Sequence, residues 1–147
     1  MITFILNDDI SYPLFQFFDK TSEKLALNIY KKFKSYEVHG DIYHCNHLKV
    51  LNSKIWKYKG LIYKLRVDNG SESARVLFTK TKSGDVVILH AFFKTTRKTP
   101  KKEAKQAITV YQIFDSLDKK IFELDASCTN RSSSVTSRYD VLLDLTK

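Results

Sequence analysis

The chain has 147 residues, the length of a single domain, and its 25 Lys and Arg against 16 Asp and Glu give a formal net charge of +9. A hydrophobic content of 43% argues against disorder throughout the chain. No apolar stretch approaches the roughly 20 residues that a membrane span needs, and with only two cysteines, Cys45 and Cys128, and four glycines, neither a disulfide framework nor a Gly-rich phosphate loop is expected.

The chain begins with an apolar stretch, residues 2–6, that predicts a short strand ending at Asn7. Two acidic residues follow directly, and no basic segment precedes the apolar one. This start is not that of a secretory signal peptide, so we expect a cytoplasmic protein with reduced cysteines.

Two helices are predicted next, forming an αα-hairpin with one apolar face. The first has Pro13 in its first turn, where proline is well tolerated. The second starts near Thr21, and Leu25, Ile29 and Phe33 recur in it at a spacing of four residues.

The middle of the chain changes to a period of two, which is typical of strands. Residues 61–67 show this period, residues 74–79 are the next predicted strand, and residues 86–93 are a mostly apolar strand, as expected of a central strand covered on both faces. Turn signals lie between the three strands at residues 68–70 and 82–85. The pattern predicts an antiparallel meander.

A last helix is predicted from about Lys101 to Phe114, with Thr99 as its N-cap and Pro100 as its first residue. The complete order, β-α-α-β-β-β-α, predicts an α+β fold. In this fold a small antiparallel sheet is packed on one face by the N-terminal hairpin and the C-terminal helix.

Beyond this helix the pattern weakens. Residues 127–137 are rich in Ser and Thr and read as a linker, and residues 139–145 are a short apolar element, either an extra strand or a helical turn. We therefore predict a domain at residues 1–114 and an extension at residues 115–147.

The basic excess is concentrated in one segment. Residues 48–105 hold 15 basic and four acidic side chains, whereas the segments on either side each carry a net charge of −1. This concentration favours a surface that binds a polyanion.

Several of these cations are predicted to share one sheet face. By the period of two, Lys64 lies with Arg66, His90 lies with Lys94, and Arg75 points away from its apolar neighbours. If the helices cover the apolar face, these five side chains converge on the open one, where a phosphate would relieve their repulsion. The alternative is a solvated Lys-rich face with one packed histidine.

The stretch at residues 94–105 contains a further run of cations, including Lys101 and Lys102. With the helix N-terminus at Pro100 it makes a candidate phosphate cradle. The segment at residues 39–47 contains His44, Cys45 and His47, but these are crowded together without a second cluster, so we predict a polar loop and no metal site.

Four motifs follow one another in order: LKVL at residues 48–51, YKLR at 63–66, ARVLF at 74–78 and VVILHAFFKTTRKTP at 86–100. They resemble the RelE/HigB superfamily of toxins from type II toxin–antitoxin modules, and specifically its phage-derived HigB-like branch. That branch typically reads K-x-L, W/Y-E-L-R, Y-R-V-L-F and V-x-L-L-H-G-F-x-K-K-T-x-K-T-P. With the helical hairpin, the resemblance covers about two-thirds of the chain.

The resemblance implies a small RelE/ParE-like α+β fold and a ribosome-dependent endoribonuclease that cuts mRNA without a metal or other cofactor. It also implies a cognate antitoxin, which we expect to be a helix-turn-helix protein, and no membrane partner. The catalytic positions that match the family are Arg66, Arg75, Lys94 and Lys98. Two further RNA-binding positions are Lys64 and Arg97, beside Lys101 and Lys102 of the charged stretch.

Three positions depart from the family motifs: Lys64 replaces Glu, Ala74 replaces Tyr and Ala91 replaces Gly. Trp56 also lies farther from Arg66 than the usual spacing, which indicates an insertion. Residues 115–147 extend past the usual end of the family.

As a hypothesis, the 2′-OH of the mRNA attacks the adjacent phosphate, and Arg66 and Arg75 stabilise the phosphorane. His90 has a suitable unperturbed pKa for the general base, and Lys64, whose pKa neighbouring cations should lower, is the alternative. Tyr63 or Tyr58 would stack on a base or donate a proton.

Two other functions fit the same sequence. A ParE-type toxin shares the fold and poisons DNA gyrase without cutting RNA, and a basic domain can bind nucleic acid without being an enzyme. The basic stretch near Lys98 favours RNA over gyrase.

Overall fold

In this computed structural model, residues 3–6, 12–39, 48–95 and 100–121 are described. The strands are β1 (Thr3–Leu6), β2 (Leu48–Val50), β3 (Tyr63–Asn69), β4 (Glu72–Lys80), β5 (Val86–Phe93) and β6 (Lys119–Ile121). The helices are α1 (Tyr12–Lys20), α2 (Glu23–His39), α3 (Ser53–Trp56) and α4 (Lys101–Ile113). The predicted α+β class, the helical hairpin, the meander and the C-terminal helix are all confirmed.

Hydrogen bonds from hydroxyl side chains stabilise the turn between α1 and α2. The Thr21 hydroxyl donates to the Phe18 carbonyl oxygen at 2.9 Å, and Ser22 Oγ accepts from the Leu25 amide at 3.1 Å. Ser22 also donates a hydrogen bond to Glu72 at the start of β4, which fixes the hairpin to the sheet.

The strands form one mixed sheet in the order β2-β3-β4-β5-β1-β6. The part from β2 to β5 is antiparallel, as the meander predicts. β1 lies parallel to β5, and β6 pairs antiparallel with β1 at the far edge.

Two hydrophobic cores lie on opposite faces of this sheet. The hairpin packs on one face, where Leu25 and Phe33 meet Leu65 of β3 and Val76 of β4. Helix α4 packs on the other face, through residues such as Ala107. The prediction that both helical elements cover the same face is therefore wrong in this respect, because β5 is apolar on both sides and supplies each core.

A β-bulge in β5 decides which face its second half presents. Leu77 pairs with His90 and Phe78 pairs with Ile88, so Leu89 is an extra residue without a partner on β4. Because a bulge shifts the alternation by one position, His90 points to the α4 side, although Ile88, two residues earlier, points to the hairpin.

Three short elements are additional to those expected from the sequence: β2, α3 and β6. The side chain of Asn52 caps α3, accepting from the amides of Lys54 and Ile55 at 2.9 and 3.0 Å. Tyr58, which follows, is buried, and its hydroxyl accepts from the Ile62 amide at 3.2 Å. The stretch around Trp56 is thus packed into the α4 core.

Other predictions fall outside the described residues. These are the turn at Asn7, the linker at residues 127–137 and the apolar element at residues 139–145. Helix α4 begins at Lys101 with Pro100 as its N-cap in an extended conformation, so the predictions of Thr99 as N-cap and Pro100 as first helical residue are wrong. Within the described part of the chain, no helix combines the length and apolar character that crossing a membrane requires.

Candidate nucleic-acid interface

Four cations lie together on the sheet face opposite the helical hairpin, and we call Lys64, Arg66, Arg75 and Lys94 the cationic cluster. Arg66 of β3 is directly opposite Arg75 of β4 in the register. The Lys94 amide donates to the carbonyl oxygen of Ser73 on β4 at 2.8 Å, which holds the end of β5 beside the cluster. The structure thus brings together four of the predicted site residues.

Asp68 joins the two arginines of the cluster. Its carboxylate accepts from Arg66 Nε at 2.6 Å and from Ser73 Oγ at 2.7 Å, and lies 3.6 Å from a terminal nitrogen of Arg75. These hydrogen bonds and charges hold the pKa of Asp68 below its ordinary value although burial opposes them. Arg75 is the more enclosed arginine, with 14% of its side chain exposed against 55% for Arg66.

The lysines of the cluster are electrostatically destabilised in their charged forms. Partial burial lowers the pKa of Lys64, and the charges of Lys49 and Arg75 lower it further. The pKa of Lys94 is lowered by burial and then by Lys64 and Arg75. Since each ammonium raises the cost of charging the next, the arrangement favours a bound anion and a lysine that releases its proton readily.

Lys49 and Asp68 belong to this site, although sequence reasoning did not select them. Lys49 lies opposite Lys64 in the β2–β3 register. A three-residue strand is too short to reveal its period, so this contact had no signal in the sequence. Asp68 did have a signal in the sequence, because it lies two residues after Arg66 and so shares its strand face. Its position before Asn69-Gly70, however, suggested only a turn.

His90 is on the same side of the sheet but lies beneath α4, with 4% of its surface exposed. Its Nε2 donates a hydrogen bond to the Glu103 carboxylate, and its ring stacks on Phe92 at 6.1 Å. Nδ1 is buried without a partner among the described residues. Burial lowers the pKa of His90 despite Glu103, and a proton on Nδ1 would lack an acceptor there. His90 therefore tethers α4 to the sheet as a neutral imidazole.

Two tyrosines proposed from the sequence are buried in the cores. Tyr63 is 6% exposed and stacks on Phe78 on the hairpin side of the sheet, at 5.3 Å between ring centroids. Tyr58 is 8% exposed in the α4 core. The structure does not bring either ring to the cationic cluster.

The remaining predicted positions divide into two groups. Lys101 and Lys102 are exposed in the first turn of α4. Arg97 and Lys98 lie outside the described residues, as do His44, Cys45 and His47. Within the described ranges, no three His, Cys, Asp or Glu side chains are grouped as metal ligands.

The cluster has the chemistry of a phosphodiester-binding surface. Arginine forks bind two phosphate oxygens at once, and lysines supply mobile point charges beside them. A lysine with a lowered pKa adds a group that can accept a proton from a hydroxyl at a lower pH than an ordinary lysine can.

Comparison with protein families gives a match. The family model described as Phage derived protein Gp49-like (DUF891) matches residues 16–112, which include the hairpin, the meander and α4. Among curated proteins, none matches the chain.

Proposed function

We propose that this chain, which belongs to the Gp49-like family of phage-derived proteins, is the toxin of a type II toxin–antitoxin system. The family is a RelE-like toxin family. In this proposal the chain belongs to the HigB-like branch and is a metal-independent endoribonuclease that cuts mRNA on the ribosome. The observation that carries the proposal is the convergence of two arginines and two lysines with lowered pKa values on one sheet face.

In the proposed reaction, the 2′-OH of one nucleotide attacks its own 3′-phosphate. Lys64, in its neutral form, accepts the proton of the 2′-OH. Arg75 and Arg66 donate hydrogen bonds to the equatorial oxygens of the phosphorane, whose charge is largest in the transition state. Lys94, in its charged form, protonates the departing 5′-oxygen. The products are a 2′,3′-cyclic phosphate and a 5′-OH end.

Lys64 is the general base in this proposal because His90 is held elsewhere. The imidazole is buried under α4, and its Nε2 is engaged by Glu103. Lys64 is only half-buried and lies beside Arg75, whose charge contributes to lowering the lysine pKa.

The proposed partners are the ribosome with its mRNA and a cognate antitoxin, which we expect to be a small helix-turn-helix protein encoded next to this chain. The proposed compartment is the cytoplasm. The excess positive charge of residues 48–105 is complementary to an acidic antitoxin segment.

Inducing this chain alone in growing cells and mapping the 5′ ends of transcripts tests the proposal. We expect growth arrest with new 5′-OH ends inside coding regions, which disappear when translation initiation is blocked. Intact transcripts with double-strand DNA breaks would instead indicate a gyrase poison. Intact transcripts and intact DNA would indicate a nucleic-acid-binding domain without nuclease activity.

A further inference from the structure

A second cation-rich cleft lies at the opposite end of β4 from the cationic cluster. It encloses about 840 Å³ between the β4–β5 turn and the C-terminal end of α4. We call it the distal cleft, and its lining includes Lys59, Lys80, Lys82, Thr81, Ser83 and Tyr111.

The β4–β5 turn is a fixed wall of this cleft. The Thr81 amide donates to the Asp85 carbonyl oxygen at 2.8 Å, and the Gly84 amide donates back to Thr81 at 3.0 Å. Gly84 adopts φ 89°, which an L side chain would strain. Ser83 Oγ donates to the Asp85 carboxylate at 3.1 Å, so this carboxylate is held within the turn.

The opposite wall is built around the ring of Tyr111. Its hydroxyl oxygen accepts from the Leu61 amide at 3.1 Å, which leaves the hydroxyl hydrogen available for an acceptor in the cleft. Gly60 allows this approach, because a Cβ atom there would lie 2.0 Å from the Tyr111 hydroxyl oxygen. The ring also packs against Phe114, with 5.7 Å between centroids.

Charge in the distal cleft is predominantly positive. Three lysines line it, and Asp115 is the one carboxylate among its described lining residues. Lys59 and Lys82 are exposed, and neither forms an ion pair with a described carboxylate. Lysines beside an aromatic ring and several hydroxyls are the combination with which proteins bind single-stranded nucleic acid.

The distal cleft and the cationic cluster are too far apart to hold the same phosphate. Lys80 is five residues beyond Arg75 on β4, which corresponds to about 17 Å along an extended strand. Any RNA in the distal cleft is therefore either a more distant part of the bound strand or a separate segment.

We propose that the distal cleft is a second RNA-binding site, in which Lys59 and Lys82 bind phosphates and Tyr111 contacts a base or ribose. This rests on the proposed function, because it takes the polyanion to be RNA. The phosphates come either from the mRNA strand or from ribosomal RNA, and the test separates the two sources.

The test compares two double variants with the same change in net charge. Lys59→Gln/Lys82→Gln removes two cations from the distal cleft. Lys24→Gln/Lys31→Gln removes two exposed cations from α2, on the other face of the sheet. Binding to a fluorescent 2′-O-methyl RNA 20-mer, which cannot be cut because its 2′-oxygen is blocked, and to purified ribosomes is measured over a range of salt concentrations.

If the RNA strand occupies the cleft, the cleft variant loses about tenfold in affinity for the 20-mer at low salt, and its slope of log K against log salt falls in magnitude by about 1.4. If ribosomal RNA occupies the cleft, the cleft variant loses affinity and salt dependence to the same extent for ribosomes, and its binding to the 20-mer is unchanged. The α2 variant keeps the wild-type slope in both cases.

Equal losses in the two variants, or no loss on either ligand, would overturn the second site. This outcome is distinguishable from failure of the proposed function, because the assay measures binding without cleavage. A wild-type chain that binds through the cleft but never cuts mRNA would contradict the nuclease proposal alone.

Discussion

Arg66 and Arg75 face each other across β3 and β4, a position at which like charges repel. Asp68 offsets this repulsion by binding Arg66 and Ser73 and lying close to Arg75. Its carboxylate makes contacts with the guanidinium groups that a phosphate oxygen would otherwise make. We therefore regard Asp68 as a positioning residue that orients both arginines before RNA arrives.

Asp68→Asn tests this role, because it keeps the shape of the side chain and removes its charge. The cluster gains one positive charge, so we expect KM for RNA cleavage to fall by a few-fold. Since the arginines lose their common anchor but remain in place, kcat should fall about tenfold, which is less than the roughly 10²- to 10³-fold loss for removal of a transition-state donor itself. Steady-state cleavage kinetics measure both. A purely structural aspartate would leave KM and kcat of the folded variant unchanged.

Lys64 gives the reaction a specific pH dependence. In the proposed mechanism, its lowered pKa means that the neutral amine forms at a lower pH than for an ordinary lysine, so the cleavage rate should rise with pH below the usual lysine range. The rate should fall again at higher pH, where Lys94, whose pKa is also lowered, loses the proton that it donates. Lys64→Arg keeps the charge but cannot lose a proton, so we expect a rate at least about 10²-fold lower without this rise.

Lys49→Arg is the matched control for that experiment. It makes the same substitution at the neighbouring cation and leaves the Lys64 amine in place. Single-turnover rates between pH 6 and pH 9.5 measure the profiles. A Lys64→Arg variant that keeps the rising limb would exclude Lys64 as the base.

At the level of elements, the contact between β5 and α4 depends on His90 and Glu103. In the folded protein, burial lowers the pKa of the imidazole despite Glu103, whereas the unfolded chain takes up a proton with an ordinary histidine pKa of about 6.5. The unfolded state therefore binds more protons as the pH falls through this range, and stability should decrease. Lys102, the other charged group acting on this histidine, also disfavours its protonation.

His90→Gln removes the titrating group while retaining an N–H donor toward Glu103. We expect the wild type to lose stability between pH 7.5 and pH 5.5, and the variant to lose less. Urea denaturation at the two pH values gives the free energies of unfolding. An equally steep loss in both proteins would mean that the acid sensitivity arises elsewhere.

Elements with a long, regular period could be predicted from the sequence, as the three meander strands and α4 demonstrate. The bulge at Leu89 could not, because Val86 to Leu89 and Ala91 to Phe93 are all apolar and do not mark the shift in alternation. Strict alternation from Ile88 would send Lys94 to the hairpin face, away from Arg75. The one extra residue in β5 thus places Lys94 on the same face as Lys64, Arg66 and Arg75.

The burial of Tyr63 had a signal in the sequence that the proposed role in RNA binding did not use. Tyr63 has the same parity as the apolar Leu65 and Val67, and its ring stacks on Phe78 in the core. The apolar pattern of β5 indicates a strand covered on both faces, but it does not say that the hairpin covers one face and α4 the other. The sequence predicts the site residues Arg66 and Arg75, because each is a charged residue at an outward position of an alternating strand. It does not predict positions that tertiary packing determines.

For the whole molecule, the concentrated charge of residues 48–105 now has a spatial distribution. One part forms the cationic cluster at one end of β4, and another lines the distal cleft at the other end. In the proposed function, the cluster supplies the groups for chemistry, whereas the exposed lysines elsewhere would increase the rate of encounter with a polyanion. This division accounts for a basic segment larger than a single phosphate site requires.

The central claim, that the cationic cluster cuts RNA, is tested most directly by the single-turnover cleavage rate of Arg75→Ala on ribosomes carrying mRNA. Arg75→Lys, which keeps the charge without the fork, and Lys31→Ala on α2 accompany it, and thermal unfolding establishes that each variant is folded. We predict a rate at least about 10²-fold lower for Arg75→Ala, an intermediate rate for Arg75→Lys and a wild-type rate for Lys31→Ala. A folded Arg75→Ala protein that cuts mRNA at the wild-type rate would contradict the account.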